Sequence, residues 1–218
     1  MNKRERAVEI DARLRSLYAQ ARIMLRYESE FQLLVAVILS AQTTDVGVNK
    51  VTPILFERFP TAEALAEADP AEVEAIVHPT GFFRNKTKNI MGAARVIVAE
   101  YGGRVPDTME ELIALPGVAR KTANIVLYNA FGKAEGIAVD THVLRLAHRL
   151  ALSSHEDPNK VERDLMGLFP REEWGPLTYR LIEHGRAVCE AKRPICGQCT
   201  LADVCPSAFE VKGWRESA

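Results

Sequence analysis

The stretch from Phe31 to Ser40 is apolar on every side except at Gln32 and its closing serine. A helix of that kind must be covered all round, which predicts the axis of a helical domain. Elsewhere apolar residues recur at helical spacing. Between Asn85 and Tyr101 they fall at Ile90, Ala93, Ala94, Ile97 and Val98, and Gly102-Gly103 closes the run. Asp69-Pro70-Ala71-Glu72 reads as an N-cap, a proline at the first helical position and a glutamate at the third, so a helix opens there. Asp107 with Glu110 has the same reading. Further helices are predicted over Thr122 to Phe131, Thr141 to Leu150, Asn159 to Phe169 and Pro176 to Val188. The N-terminal helix, Arg4 to Gln20, has apolar positions at Val8, Ile10, Leu14 and Leu17 and needs a partner, for which the late helices are candidates. No long alternating run argues for a strand. Short loops punctuated by Gly and Pro make the helices near neighbours. The chain is therefore predicted to be all-α, with Lys133 to Val139 crossing into a second domain that contains the cysteines.

A length of 218 residues permits one large domain or two small ones, each with a real core. An apolar content of 47% is ordinary for a soluble protein. The longest strongly apolar run, Leu33 to Leu39, falls far short of the roughly 20 residues a membrane span needs. No basic segment leading into an apolar one opens the chain, so the expected location is the cytoplasm, including the nucleoid within it. A net charge of -1 weighs against a general nucleic-acid binder, although a local basic face suffices for phosphate contacts. All four cysteines lie between Cys189 and Cys205. In a reducing compartment so tight a group points to metal rather than disulfides.

Three motifs carry candidate chemistry. In Leu115-Pro116-Gly117-Val118-Ala119-Arg120-Lys121-Thr122-Ala123 one helix ends, a tight turn follows and a new helix opens near Arg120. Gly117 permits a backbone conformation barred to other residues, and the N–H groups of the turn and the next helix can then face a phosphate. Lys121, in that first turn, is either a nucleophilic amine or a solvated surface lysine. Asp140, in Val139-Asp140-Thr141-His142, reads as the N-cap of the helix that follows. A carboxylate fixed by capping bonds beside apolar Ile137, Ala138 and Val139 is also placed to stabilise a cation, so the two readings are compatible. Cys189, Cys196, Cys199 and Cys205 are spaced C-x6-C-x2-C-x5-C. Four thiolates suit tetrahedral zinc or the corners of a [4Fe–4S] cube, and the single close pair leans to the cube. Arg186, Lys192 and Arg193 decorate the same segment as candidate phosphate contacts. The remaining histidines show no metal-ligand spacing and are read as structural.

Taken in order, the hairpin, Val-Asp-Thr-His and the four-cysteine spacing resemble the bacterial endonuclease III family, as does Leu39-Ser40-Ala41-Gln42-Thr43-Thr44-Asp45. The resemblance runs from about Leu33 to Cys205. It implies a helix-hairpin-helix fold of two α-helical domains. One is a six-helix barrel, over 23–133; the other is a cluster domain built from 1–22 and 134–218, with DNA in the groove between them. It implies a monomeric DNA glycosylase that also cleaves abasic sites and acts on oxidised or ring-saturated pyrimidines in double-stranded DNA. Lys121 carries over as the nucleophile, Asp140 as the catalytic carboxylate and the four cysteines as ligands of a [4Fe–4S] cluster. Gln42 and Phe82 carry over as residues that fill the stack when a base is flipped out, with Thr44, Gly117, Ala119, Arg120, His142, Lys192 and Arg193 as further DNA contacts. For Phe82 a place in the core is equally open. Two positions depart from the family pattern. Ala119 stands where a second glycine is commoner, which costs on the order of 1 kcal/mol if that backbone is left-handed. Phe82 stands where leucine is frequent, and a bulkier wedge alters lesion or opposite-base preference. A mismatch glycosylase of the same superfamily lacks the hairpin lysine, and a non-catalytic DNA-binding or redox module needs neither Lys121 nor Asp140; both are weaker readings.

Overall fold

A computed structural model of the chain describes residues 1–217. Among these there are eleven α-helices and no strand: α1 (Lys3–Leu17), α2 (Glu30–Leu39), α3 (Asp45–Arg58), α4 (Ala62–Ala66), α5 (Pro70–Val77), α6 (Phe83–Tyr101), α7 (Met109–Ala114), α8 (Arg120–Phe131), α9 (Thr141–Arg149), α10 (Pro158–Leu168) and α11 (Trp174–Ala187). No helix is long and apolar enough to cross a membrane among the described residues. The chain divides into two compact units, Met24–Lys133 and Met1–Ile23 with Ala134–Ala218.

The unit over 24–133 is built around α2. Ser29 caps it by accepting the Gln32 N–H at 3.2 Å, and Phe31 and every residue from Leu33 to Leu39 are buried. Helices α3, α6 and α8 pack against it. Each fully buried leucine here contributes roughly 1.5–3 kcal/mol, which is why the most apolar helix run sits at the centre. Helix α6 buries Ile90, Ala93, Ala94 and Ile97 and stops at Gly102, whose φ of 59° is left-handed. Helix α3 was not anticipated. Gly47 and Pro53 mask it, yet Val48, Val51, Thr52 and Leu55 are buried at helical spacing. The cap of α7 is Thr108, not Asp107: its hydroxyl accepts the Glu111 N–H at 3.3 Å. Asp107 instead pairs with Lys133 at 2.6 Å, and the one-residue shift puts Leu112 wholly in the core.

The second unit joins α1 to α9, α10 and α11 around a shared core of Ile10, Leu14, Ile137, Val143, Leu146, Val161, Leu165, Leu177 and Leu181. The N-terminal helix does find its partners in α10 and α11. It presents Ala7, Ile10, Asp11 and Leu14 to them, whereas Val8 and Leu17, expected on the same face, are exposed. Asp11 is nearly buried because Arg15 and Arg180 lie beside it, at 2.5 and 3.6 Å.

Candidate nucleic-acid and catalytic site

In the unit over 24–133 the hairpin between α7 and α8 has the geometry its residues predict. Gly117 has φ of 78°, and an added Cβ would lie 2.7 Å from that of Asn89, so both conformation and space exclude any other residue. Ala119 corrects the expectation of strain. Its φ is −95° and its ψ 170°, an extended conformation open to any residue, because the left-handed step of the turn falls at Gly117. What alanine lacks is an acceptor. No side chain caps the first turn of α8, so the positive end of a twelve-residue helix is left to an external anion. Lys121 is exposed in that turn and makes no hydrogen bond or ion pair among the described residues. Arg120, beside it, is also exposed.

Two further predicted residues of this unit stand out by conformation. Gln42 has φ of 54° and Phe82 of 48°, both left-handed, a conformation that costs a non-glycine residue about 1 kcal/mol or more. Gln42 lies beyond the end of α2, on an exposed turn. Phe82 is 68% exposed at the start of α6, which removes the reading of it as a core aromatic. Thr44 caps α3, accepting the Gly47 N–H at 3.1 Å.

In the other unit Asp140 is the N-cap of α9. Its Oδ1 accepts the N–H groups of both His142 and Val143 at 2.8 Å, and both bonds fall on that one oxygen. Ile137, Ala138 and Val139, just before it, are buried. His142 is half-buried, with Nδ1 3.0 Å from Arg145 Nη2, and burial pushes its pKa down. Arg145 in turn donates to the Gly185 and Cys189 carbonyls at 3.0 Å. Arg149, one turn along, donates to Cys189 Sγ at 3.1 Å and to the Glu190 and Ala191 carbonyls at 2.8 and 2.7 Å. Lys192 and Arg193 follow directly and are exposed.

The four cysteines line a single cavity, together with Arg149, Val188, Pro194, Ile195 and Val211. Among the described residues no three or more His, Cys, Asp or Glu side chains form a group that could hold one metal ion. Burial pushes the Cys199 thiol up to about 11 and raises that of Cys205. Such thiols become thiolates only when a cationic centre offsets the lost hydration. His184, read from sequence as structural, is buried, with Nε2 3.6 Å from Cys199 Sγ and Nδ1 3.1 Å from the Tyr18 hydroxyl. Its place could not be read from spacing, because Tyr18 comes from α1's end and Cys199 from the far end of the chain.

Comparison with known proteins gives this arrangement its class. The model of the HhH-GPD superfamily base excision DNA repair protein matches residues 35–171. Endonuclease III of Synechocystis sp. is 57% identical over 207 residues, covering 95% of this chain and 94% of that protein. Two solved structures are each 38% identical. One is a non-covalent endonuclease III–DNA complex (TM-score 0.91, covering 96% of this chain and 98% of the other). The other is a trapped endonuclease III–DNA covalent intermediate, the estranged-adenine complex (TM-score 0.92, covering 96% and 99%). The chain belongs to the endonuclease III family.

Proposed function

We propose that this protein is a bifunctional DNA glycosylase and abasic-site lyase of base excision repair, with Lys121 as nucleophile and Asp140 as the carboxylate that serves it. The observation that carries this reading is an exposed lysine with no hydrogen bond or ion pair among the described residues, held at a helix N-terminus that no side chain caps, directly after a phosphate-binding type of turn. The substrate class is duplex DNA bearing an oxidised or ring-saturated pyrimidine, whose base must leave the stack before any side chain can reach C1′. The neutral amine of Lys121 attacks C1′ and the glycosidic bond breaks, the bonding electrons leaving with the base. The carboxylate of Asp140 offsets the positive charge that develops on the sugar, and its second oxygen lies outside the capping bonds. The proton lost from nitrogen passes to O4′ as the C1′–O4′ bond breaks, and the nitrogen lone pair completes an iminium at C1′. The iminium acidifies the C2′ proton, and its removal expels the 3′ phosphate by β-elimination. A hydroxyl nucleophile could not form the iminium.

Borohydride added during reaction with lesion DNA tests the assignment. The wild-type chain should become covalently attached to DNA, and Lys121→Gln should not, while keeping its affinity for DNA. Trapping that persists in Lys121→Gln places the nucleophile elsewhere.

Cys189, Cys196, Cys199 and Cys205 would hold a [4Fe–4S] cluster. The four thiols line one cavity, and their spacing, with a single close pair, leans to the corners of a cube. When bound, the cluster would supply the iron that the four cysteine sulfurs ligate and would order the segment carrying Lys192 and Arg193. Purified protein should then absorb broadly in the visible and contain about four irons per chain; colourless protein holding zinc refutes the assignment.

A further inference from the structure

Lys86 lies on α6 and is 4% exposed, a burial seldom seen for lysine. Its Nζ has neutral partners: it donates to Thr43 Oγ1 at 2.6 Å and to the Thr80 carbonyl at 2.7 Å. The Thr43 hydroxyl donates to the same Thr80 carbonyl at 2.5 Å, closing a triangle, and Thr80 is itself buried. The backbone N–H of Lys86 donates to the Phe82 carbonyl at 3.1 Å. One residue therefore touches both ends of the Thr80–Phe82 turn and the loop that follows α2.

What these segments have in common is their conformation. Gln42 adjoins Thr43 and Phe82 is two residues past Thr80, and both are exposed residues with left-handed backbones. Neither conformation holds itself, since nothing in a glutamine or phenylalanine side chain favours positive φ. Burial depresses the pKa of the Lys86 ammonium, with no neighbouring charge to offset it. If the site needed only apolar filling, an aliphatic residue would bury there without that penalty. The ammonium's contribution is directional: it draws a hydroxyl and a carbonyl from two separate segments to one point.

We infer that Lys86 is a positioning residue that fixes the loop bearing Gln42 and the turn bearing Phe82 in one relative arrangement, so that together they take the place of an extruded nucleotide. The inference rests on the glycosylase reading above, in which base extrusion precedes chemistry. Lys86 touches neither sugar nor base. It acts on the step that costs stacking, not on the bonds that break.

The test compares two DNA substrates for each variant under single-turnover conditions. One is a duplex with a paired oxidised pyrimidine, which must be unstacked. The other is the same duplex with an abasic site, which needs far less unstacking. In Lys86→Met the ratio of the first rate to the second should fall about tenfold, a fraction of the free energy that unstacking a base costs. The fluorescence rise of 2-aminopurine beside the lesion on binding should fall with it. Lys86→Arg, which retains a cation and several donors, should recover part of the ratio. Thr43→Val removes the hydroxyl link without touching Lys86 and should shift the ratio the same way, which keeps the test decisive if Lys86→Met is unfolded at the assay temperature. Equal losses on both substrates in the folded variants, or an unchanged ratio, overturn the inference. Failure of the parent reading shows separately, as absence of borohydride trapping in the wild-type chain.

Discussion

The two units place their candidate groups by different means. In the unit over 24–133 the backbone does the work: Gly117, Gln42 and Phe82 adopt left-handed conformations, and Gln42, Phe82 and Lys121 are exposed. In the unit made from both chain ends, side chains do it. Asp140 is held by two N–H groups, and the arginines of α9 grip the carbonyls of 185 and 189–191. Where backbone shape sets the site, replacing the functional side chain should leave the fold untouched. Where capping and function share one carboxylate, chemistry and stability should fall together.

The largest effect expected is at Lys121. Lys121→Gln should lower single-turnover excision by about a thousandfold or more, with thermal unfolding unchanged, because the side chain is exposed and makes no hydrogen bond or ion pair among the described residues. A large loss of melting temperature would break the comparison from this side. Asp140 sharpens it from the other. Asp140→Asn keeps an acceptor oxygen for the cap and should lose activity by about a hundredfold with little change in stability. Asp140→Ala should lose as much activity and, in addition, about 1 kcal/mol of stability, measured by urea unfolding. Equal stability of the two variants would mean that the capping bonds carry no weight. The smallest effect is at Ala119. Ala119→Ser supplies the missing acceptor to α8 and should stabilise the protein by about 1 kcal/mol while weakening affinity for abasic DNA severalfold, since the serine then competes with phosphate for the same N–H groups. An unchanged affinity in a titration at fixed salt would show that this helix end does not bind the backbone of DNA.

Much of this is legible in the amino-acid sequence. Helical periodicity marked α2, α6 and α8 to α11 within a few residues, because their apolar stripes are regular and most are ended by glycine or opened by a clear cap. The cysteine spacing brought four thiols to one cavity. What was hidden depended on tertiary packing. Helix α3 carries Gly47 and Pro53, and only burial of Val48, Val51 and Leu55 makes it worth forming. The backbone of Ala119 followed from where the turn spends its left-handed step, which no local pattern reveals. The exposure of Phe82 likewise could not be read from a hydrophobic residue beside another, Phe83. Lys86 did leave a signal: it lies four residues before Ile90, on the extension of the buried stripe that continues through Ala94 and Ile97. A lysine on such a stripe asks what it bonds to.

The division of the chain has a consequence for its synthesis. Helix α1 leaves the ribosome before the unit over 24–133, yet the residues it packs on lie beyond 134, so its apolar face at Ile10 and Leu14 waits while the whole intervening unit emerges. That unit is contiguous and can complete its core as soon as Lys133 is clear of the exit tunnel. Nascent chains arrested shortly after that point should carry one finished half and one orphaned amphipathic helix, and the latter is where a chaperone would find them.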